Sequence, residues 1–471
     1  MIDGLEISEV KFSKISRTTT LRFDSDYYKK EYLKIEHFMF TNKDKFVSIN
    51  DHNLCVDASA FYPSLEPYYN TGTIPFVRVA DVKRMIDYDS CVKIPEMDER
   101  FNTLYLCNPG DVVLTKGGRV GTAGLITKPS YVTRDLIFIN SSMLSRKDYI
   151  TLYLFFSTNF AYNQMIRSSS MTAQPHLTIT LIRDLLIYNY SDEFKQVMEE
   201  YYTKMERLNI QSQNCYVQAT HILESTLDIQ TSTFPISSIT TKRISDVSRR
   251  WDAEYYQPKY DELFAIFSKH KSKNLGGKDG LVSIKKSIEP GSEAYREEGV
   301  PFVRVSDIDK FEISSPEIKL PQDIVPNIEN LFPKKDTILL SKDGSVGIAH
   351  KVQEDLDVVT SGALLHLTVK DTKEILPDYL TLVLNSSIVQ LQAERDCNGA
   401  IIQHWKPSDI EKVIIPILDM KQQEEISDKV QESFRLRKES KELLDIAVKA
   451  VEMAIETDEE TAIAWLKEQG V

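Results

Sequence analysis

Two stretches of the chain place apolar residues with the period of a long α-helix. In the first, nine positions step alternately by four and three residues, which is the seam of a heptad repeat. These positions are Phe194, Met198, Tyr201, Met205, Leu208, Ser212, Cys215, Ala219 and Ile222. The second stretch, residues 421–457, becomes polar in the middle of its seam. Its seam positions are Ile426, Val430, Ser433, Arg437, Ser440, Leu444, Ala447 and Val451. The pattern predicts two helices of roughly 50 Å that pair with each other.

The remaining segments follow the same order in both halves of the chain. An aromatic-rich helix precedes short β-branched runs broken by Gly, Pro and Asp, which predict strands and turns. A helix, a further strand and the long helix follow. The predicted helix, helix and strand are residues 26–39, 148–168 and 185–189 in the first half, and 253–267, 378–396 and 413–417 in the second. This order predicts an α+β fold with a mixed sheet or curled barrel in each half.

The two halves also repeat each other in sequence. "IPFVRVADV" at residue 74 returns as "VPFVRVSDI" at residue 300, and the same offset pairs "VVLTKGGRVG" with "ILLSKDGSVG". A slightly longer offset pairs "FDSDYY" with "WDAEYY" and "HLTITLIRDLLI" with "HWKPSDIEKVII". The chain therefore contains two copies of one module. The predicted boundaries are two domains at 1–190 and 231–418, two long helices at 191–230 and 419–457, and a tail at 458–471.

The charge of the chain is acidic overall, yet its distribution leaves a basic surface possible. The net charge is −13 over 471 residues, which argues against coating nucleic acid by charge alone. Residues 419–471 carry 14 acidic and 8 basic side chains, so the acid lies away from the paired motifs. Those motifs carry Arg78, Lys83, Arg84, Lys116, Arg119, Arg304, Lys334, Lys335 and Lys342.

Five cysteines without CxxC spacing indicate neither a disulfide framework nor a zinc site. No apolar stretch reaches membrane length, which predicts a cytoplasmic protein.

The repeated "[TS]KxGxVG" segment carries the first candidate binding residues. Its lysine precedes the glycines, unlike a nucleotide-binding P-loop, and apolar runs flank it. This arrangement predicts a β-hairpin whose glycines have positive φ. Its tip offers cations to a DNA phosphate or a guanine edge. The candidate residues are Lys116 and Arg119 in the first copy and Lys342 and Ser345 in the second.

Two further pairs of segments contain candidate contacts. Arg78 and Arg304 stand in "FVRV", where strand alternation predicts a solvated sheet face, or an ion pair with Asp81 or Asp307. Glutamine and histidine before the last strand of each copy suit base-edge or sugar contacts, although a histidine there is as readily structural. These residues are Gln174 and His176 in the first copy, and Gln403, His404 and Trp405 in the second.

Motifs for catalysis are missing from the sequence. It has no GxSxG, HExxH, Walker A or GxGxxG motif, and no [DNS]PP[YF] motif of amino-methyltransferases. Glu317 and Lys319, with Asp307 or Asp309, form a nuclease-like D…ExK pattern. The first copy has no glutamate in the equivalent place, and such triples arise often by chance. We therefore predict a chain without an active site of its own.

The order of these motifs, the duplication and the paired heptad helices resemble the specificity subunit of type I restriction-modification systems. The resemblance covers almost the whole chain. It implies two target-recognition domains that each read one half of a bipartite DNA target, with DNA-facing hairpins at 116–120 and 342–346. It further implies an antiparallel pair of spacer helices, 193–227 and 421–457, on which methyltransferase subunits dock. Only the second copy keeps the glycine-containing form of the loop that is typical of the family. Recognition domains diverge widely because they read different sequences, so the base contacts transfer poorly from the resemblance.

The resemblance also places the cofactors in partner chains. S-adenosylmethionine would belong to the methyltransferase subunits, of which the duplication implies two, and ATP with Mg²⁺ to a restriction subunit, if one is present. Two alternatives remain open. One is the same role in a type IIB-like or other phage-defence complex. The other is an acidic interaction scaffold or DNA mimic, which predicts no salt-sensitive DNA binding.

Overall fold

The chain folds into two compact units, each built from one globular domain and one half of each long helix. The computed structural model describes residues 8–16, 22–52, 54–118, 120–169, 176–229, 239–247, 250–324, 326–399 and 403–469. Unit 1 comprises residues 1–207 and 439–471, and unit 2 comprises residues 208–438. The division between the units therefore passes through both long helices.

The helices of the described residues are, in chain order, α1 (Phe12–Ile15), α2 (Lys30–Thr41), α3 (Arg146–Phe156), α4 (Asn159–Ser168), α5 (Ile179–Asp184), α6 (Asp192–Thr226), α7 (Pro258–Lys269), α8 (Pro377–Asn385), α9 (Ser387–Asp396), α10 (Pro407–Ile410), α11 (Met420–Glu456) and α12 (Glu459–Glu468).

The strands of unit 1 are β1 (Phe46–Ser48), β2 (Val56–Asp57), β3 (Ile74–Val77), β4 (Val92–Ile94), β5 (Leu106–Cys107), β6 (Val112–Thr115), β7 (Ala123–Leu125), β8 (Ser130–Val132), β9 (Leu136–Ile139) and β10 (Leu186–Tyr188). The strands of unit 2 are β11 (Ser272–Asn274), β12 (Val282–Lys286), β13 (Val300–Val303), β14 (Lys319–Leu320), β15 (Ile338–Ser341), β16 (Ala349–Lys351), β17 (Val359–Thr360), β18 (Leu364–Val369) and β19 (Ile414–Pro416).

Unit 1 holds two four-stranded sheets and a strand pair. One sheet has the order β2-β9-β6-β7 and is antiparallel throughout. The other has the order β4-β3-β8-β5, in which β3 and β8 run parallel and the outer pairs run antiparallel. Every residue of β6 and β9 is buried, as expected for apolar strands covered on both faces. The predicted mixed sheet is confirmed.

Unit 2 repeats this arrangement. Its antiparallel sheet has the order β12-β18-β15-β16, and its mixed sheet has the order β14-β13-β17 with β13 and β17 parallel. The pair β11-β19 corresponds to β1-β10 of unit 1. The antiparallel sheets have the same strand order and the mixed sheets share three strands, β5 having no counterpart among the described strands of unit 2, which confirms that the chain is a duplication.

Two predicted helices are divided in the structure. The stretch 148–168 forms α3 and α4, because the Thr158 hydroxyl accepts a hydrogen bond from the Ala161 amide at 3.2 Å and caps a new helix. The equivalent stretch of unit 2 forms α8 and α9, with Ser386 between them. The aromatic-rich helices also begin later than predicted, since residues Ser25–Tyr28 and Ala253–Tyr256 are 3₁₀ turns.

The long helices α6 and α11 pack antiparallel within each unit, as predicted. In unit 2 the Ser212 hydroxyl donates to the Ser433 carbonyl at 2.7 Å, and Lys429 donates to Gln218 at 2.8 Å. In unit 1 the Ser440 hydroxyl donates to the Met205 carbonyl at 2.9 Å. Residue numbers rise on one helix as they fall on the other. Three polar interruptions of the seam, Ser212, Ser433 and Ser440, are therefore buried serines that bring the helix backbones close together, whereas Arg437 is half-buried.

Within the described parts of the chain, none of the helices has both the length and the apolar character that crossing a bilayer requires.

Candidate nucleic-acid interface

The "[TS]KxGxVG" segments form β-hairpins with matching backbone hydrogen bonds in the two units. In unit 1, β6 and β7 pair antiparallel, and Thr115 accepts hydrogen bonds from the Gly121 and Thr122 amides at 3.0 and 2.9 Å. In unit 2, β15 and β16 pair in the same way, and Ser341 accepts from the Gly347 and Ile348 amides, both at 2.9 Å. The predicted hairpins are confirmed.

Two glycines of each hairpin have the positive φ that the sequence predicts. Gly118 and Gly121 have φ of 72° and 82°, and the equivalent Gly344 and Gly347 have φ of 75° and 87°. A side chain would strain these conformations, so glycine is required for the turn. We call residues 116–120 and 342–346 the first and second hairpin tips.

A histidine-containing loop packs against each hairpin tip. The backbone amide of Leu177, the residue after His176, donates to the Lys116 carbonyl at 3.0 Å. In unit 2, the Trp405 amide after His404 donates to the Lys342 carbonyl at 2.7 Å. These bonds fix the exposed His176 and His404 beside the lysines. Candidate residues that are about 60 positions apart in sequence therefore share one surface in each unit.

The side chains of the second tip form a closed charge network. Asp343 forms an ion pair with Lys342 and accepts a hydrogen bond from His404 Nδ1 at 2.8 Å. The side chain of Lys342 is only 12% exposed, whereas that of His404 is 59% exposed. Burial raises the pKa of the Asp343 carboxyl, but the bonds from Lys342 and His404 outweigh burial and lower this pKa below 3.8. The carboxylate is therefore ionised at neutral pH.

The first tip lacks this network because Gly117 stands where the second tip has Asp343. His176 lies over Gly117, and a Cβ added there would be 3.0 Å from the His176 ring. Lys116 is half-buried, and no carboxylate among the described residues forms an ion pair with it. Arg119 and Gln174 lie outside the described residues.

The other candidates of unit 2 differ in their exposure. Ser345 and Gln403 are exposed, and their carbonyls accept hydrogen bonds from Ser341 and Gly344. Trp405, in contrast, is 1% exposed and belongs to the core of the unit. Its indole has no face available to a base, so the expectation that Trp405 contacts DNA is corrected to a structural role.

Arg78 and Arg304 lie just after β3 and β13 rather than within a strand. Each begins a 3₁₀ turn that is closed by an aspartate three residues later. The Asp81 carboxylate lies 3.0 Å from Arg78 Nε, and the buried Asp307 carboxylate lies 3.5 Å from Arg304 Nε. Of the two predicted alternatives, the internal ion pair is the one that the structure shows. Both arginine side chains as a whole remain more than one third exposed.

A duplicated arrangement of arginine and tyrosine is not among the candidates predicted from the sequence. In unit 1 the guanidinium groups of Arg22 and Arg167 both lie over the Tyr27 ring, at 4.8 and 4.4 Å from the ring centroid. In unit 2 two guanidinium groups lie over the Tyr255 ring in the same way, at 4.7 and 3.9 Å from its centroid. Those arginines are Arg250 and Arg395. The offset of 228 that pairs the tyrosines also pairs the arginines, so the repeat could have revealed the cluster. In unit 1 this cluster lines a cavity of about 700 Å³ that extends to His176.

The nuclease-like pattern of unit 2 gains no support from the structure. Asp307 is 2% exposed and caps the turn that begins at Arg304. Across the described residues, no group of three or more carboxylate, histidine or cysteine side chains is arranged to hold a metal ion.

These features define a class of protein: two copies of a mixed-sheet domain, each with an exposed hairpin and histidine loop, and each followed by one helix of a long antiparallel pair. The model of the "Type I restriction modification DNA specificity domain" matches residues 45–188 and 279–445, well over half of the chain. The chain belongs to this family.

Comparison with solved structures gives distant similarities. The S subunit of the type I restriction-modification system from M. genitalium is 14% identical, with 86% of this chain and 95% of that chain covered and a TM-score of 0.35. The HsdS subunit from Thermoanaerobacter tengcongensis is 15% identical, with 88% and 96% covered and a TM-score of 0.29. The type IIG restriction endonuclease BpuSI is 10% identical, with 38% and 28% covered and a TM-score of 0.29. Comparison with curated proteins gives no match.

Proposed function

We propose that this chain is the DNA-recognition subunit of a type I restriction-modification complex and that each domain reads one half of a bipartite target. The observation that carries the proposal is the repeated surface. In both units the same backbone hydrogen bonds hold a glycine hairpin and a histidine loop together, with a lysine between them. Family membership supplies the nucleic-acid role that this surface would serve.

The proposed contacts follow from exposure and charge. Direct candidates are the exposed or half-exposed residues Lys116, His176, Ser345, Gln403 and His404. Arg119 and Gln174 join them on the sequence pattern alone. The arginines after β3 and β13 and the lysine of the second tip already have carboxylate partners, so they would contribute less to phosphate binding than a free cation.

The antiparallel helices would serve as spacer and docking surface. Duplication gives one chain two similar surfaces, which suits two identical methyltransferase subunits. Base flipping and methyl transfer would then belong to those partners, together with S-adenosylmethionine. A restriction subunit, if present, would bring ATP and Mg²⁺. In this proposal, residues 1–190 and 231–418 form the two recognition domains, and residues 191–230 and 419–457 form the spacer helices.

The proposal is tested by purifying the chain together with the methyltransferase encoded beside it and measuring duplex DNA binding over a range of salt concentrations. We expect a stable complex whose DNA affinity falls steeply as salt rises, because phosphate contacts release counterions. A stable complex without salt-sensitive DNA binding would instead establish the interaction scaffold. The matched control is the methyltransferase alone, which should not show the same affinity.

A further inference from the structure

The two hairpin tips share a backbone but differ in charge at two equivalent positions. Gly117 of the first tip corresponds to Asp343 of the second, and Arg119 corresponds to Ser345. The sequence of the first tip therefore contains two cations, whereas the cation of the second tip stands beside an anion. Since the backbone hydrogen bonds match, the difference lies in side chains and not in the fold.

The aspartate of the second tip binds both Lys342 and His404. Its two carboxylate oxygens take separate partners, with Oδ2 bound to Lys342 Nζ and Oδ1 bound to His404 Nδ1. The buried position of Lys342 strengthens this pairing, because a buried ammonium without a partner is costly. A phosphate that approaches Lys342 must compete with a carboxylate that is already in place.

The first tip imposes no such competition on its lysine. Asp135 accepts a hydrogen bond from the Lys116 amide through its backbone carbonyl at 2.9 Å, but its carboxylate forms no ion pair with Lys116. In unit 2 the residue at this place is Ala363, whose carbonyl accepts from the Lys342 amide at the same distance. Lys116 thus keeps its charge available to DNA.

We propose that Asp343 is a positioning residue that neutralises the second hairpin tip, so that the two domains bind DNA by different means. The first domain makes the larger share of the phosphate contacts. The second domain binds mainly through hydrogen-bonding groups such as His404 and Ser345, and its binding depends less on salt. This inference rests on the proposed DNA-recognition function.

The test is the salt dependence of DNA binding by the assembled complex with Asp343→Asn. Asparagine keeps the size of the side chain but removes the charge, which frees Lys342 for a phosphate. The slope of log affinity against log salt should steepen by up to about 0.9, the value for one added phosphate contact. The reciprocal change Gly117→Asp should make the slope shallower by a similar amount.

Matched controls separate charge from structure. Asp355→Asn removes the same charge from an exposed pair with Lys334, at the end of β15 and β16 remote from the tip. Gly117→Ser tests the crowding of His176, which is exposed and able to shift. We expect Asp355→Asn to keep the slope of the unchanged complex, and Gly117→Asp to give a shallower slope than Gly117→Ser, because only the aspartate adds a charge.

The outcomes distinguish the inference from the proposed function. If the unchanged complex shows no salt-dependent DNA binding, the proposed function fails before any variant is compared. If the unchanged complex binds DNA but Asp343→Asn leaves the slope as it was, Asp343 does not neutralise the tip and the inference is wrong. An equal change with Asp355→Asn would also overturn the inference, because the effect would then reflect net charge alone.

Discussion

A buried ion pair connects the domain of unit 2 to the long helix α11, and its loss should destabilise that unit strongly. The Lys351 ammonium lies 2.9 Å from Oδ1 of Asp378 and donates to Oδ2 at 3.1 Å. Gln431 of α11 donates to the same Oδ2 at 2.9 Å. Both charged side chains are less than one tenth exposed. Asp378→Asn removes the anion and leaves the lysine buried.

The expected cost follows from this burial. Removing one member of a buried pair typically costs 3–5 kcal/mol. Asp336 also lies 3.2 Å from the Lys351 ammonium and is half exposed, so part of the compensation remains. We therefore expect a loss near the lower end, about 3 kcal/mol, which corresponds to roughly a hundredfold change in the folding equilibrium.

The assay is urea unfolding followed by the fluorescence of Trp405, with Trp251 and Trp465 replaced by phenylalanine. Trp405 is buried in unit 2 and reports on that unit. Urea is preferred because guanidinium chloride screens ion pairs. Asp378→Asn should lower the urea midpoint, and Asp378→Leu combined with Lys351→Met should recover most of the loss. An unchanged midpoint for Asp378→Asn would refute the reasoning.

Three further predictions concern single residues. Lys116→Ala should weaken DNA binding by the complex and make its salt slope shallower by about 0.9, measured by fluorescence anisotropy; an unchanged slope would remove Lys116 from the interface. Gly344→Ala should destabilise unit 2 by about 1–2 kcal/mol in thermal unfolding. The whole cost would be backbone strain, because φ is +75° and no atom lies within 4 Å of the added Cβ. The neighbouring Ser345→Ala should be nearly neutral. Burial lowers the pKa of His366 from 6.5 to about 4, so between these pH values the unfolded chain binds a proton that the folded chain does not. The free energy of unfolding should therefore fall as the pH drops from about 6.5 towards 4. His366→Gln should remove that component of the pH dependence, and an unaltered pH profile would contradict it.

The architecture could be predicted from the sequence because two copies of the same module occur in the chain. Constant offsets revealed the duplication, and the heptad seam predicted the paired helices. The turn glycines predicted the hairpins because few other residues adopt positive φ. Each of these features involves residues close together in sequence or the repeat itself, so it can be recognised in a single sequence.

Contacts made by tertiary packing could not be predicted in the same way. Asp343 and His404 are 61 positions apart, and only the folded hairpin brings them together. Trp405 was predicted to contact a base because it follows a histidine in the sequence, but its indole is buried in the core. The break at Thr158 was missed because the apolar pattern continues through it, and a side-chain cap decides where the helix begins again.

The most direct test of the account is the methylation pattern of cells that carry this chain and its methyltransferase, determined by long-read sequencing. We predict a methylated bipartite motif that disappears when the chain is deleted and that changes in one half only when one of the two domains is exchanged for that of a relative. A methylated motif that persists without the chain, or the absence of any motif although the complex forms, would contradict the proposed recognition role.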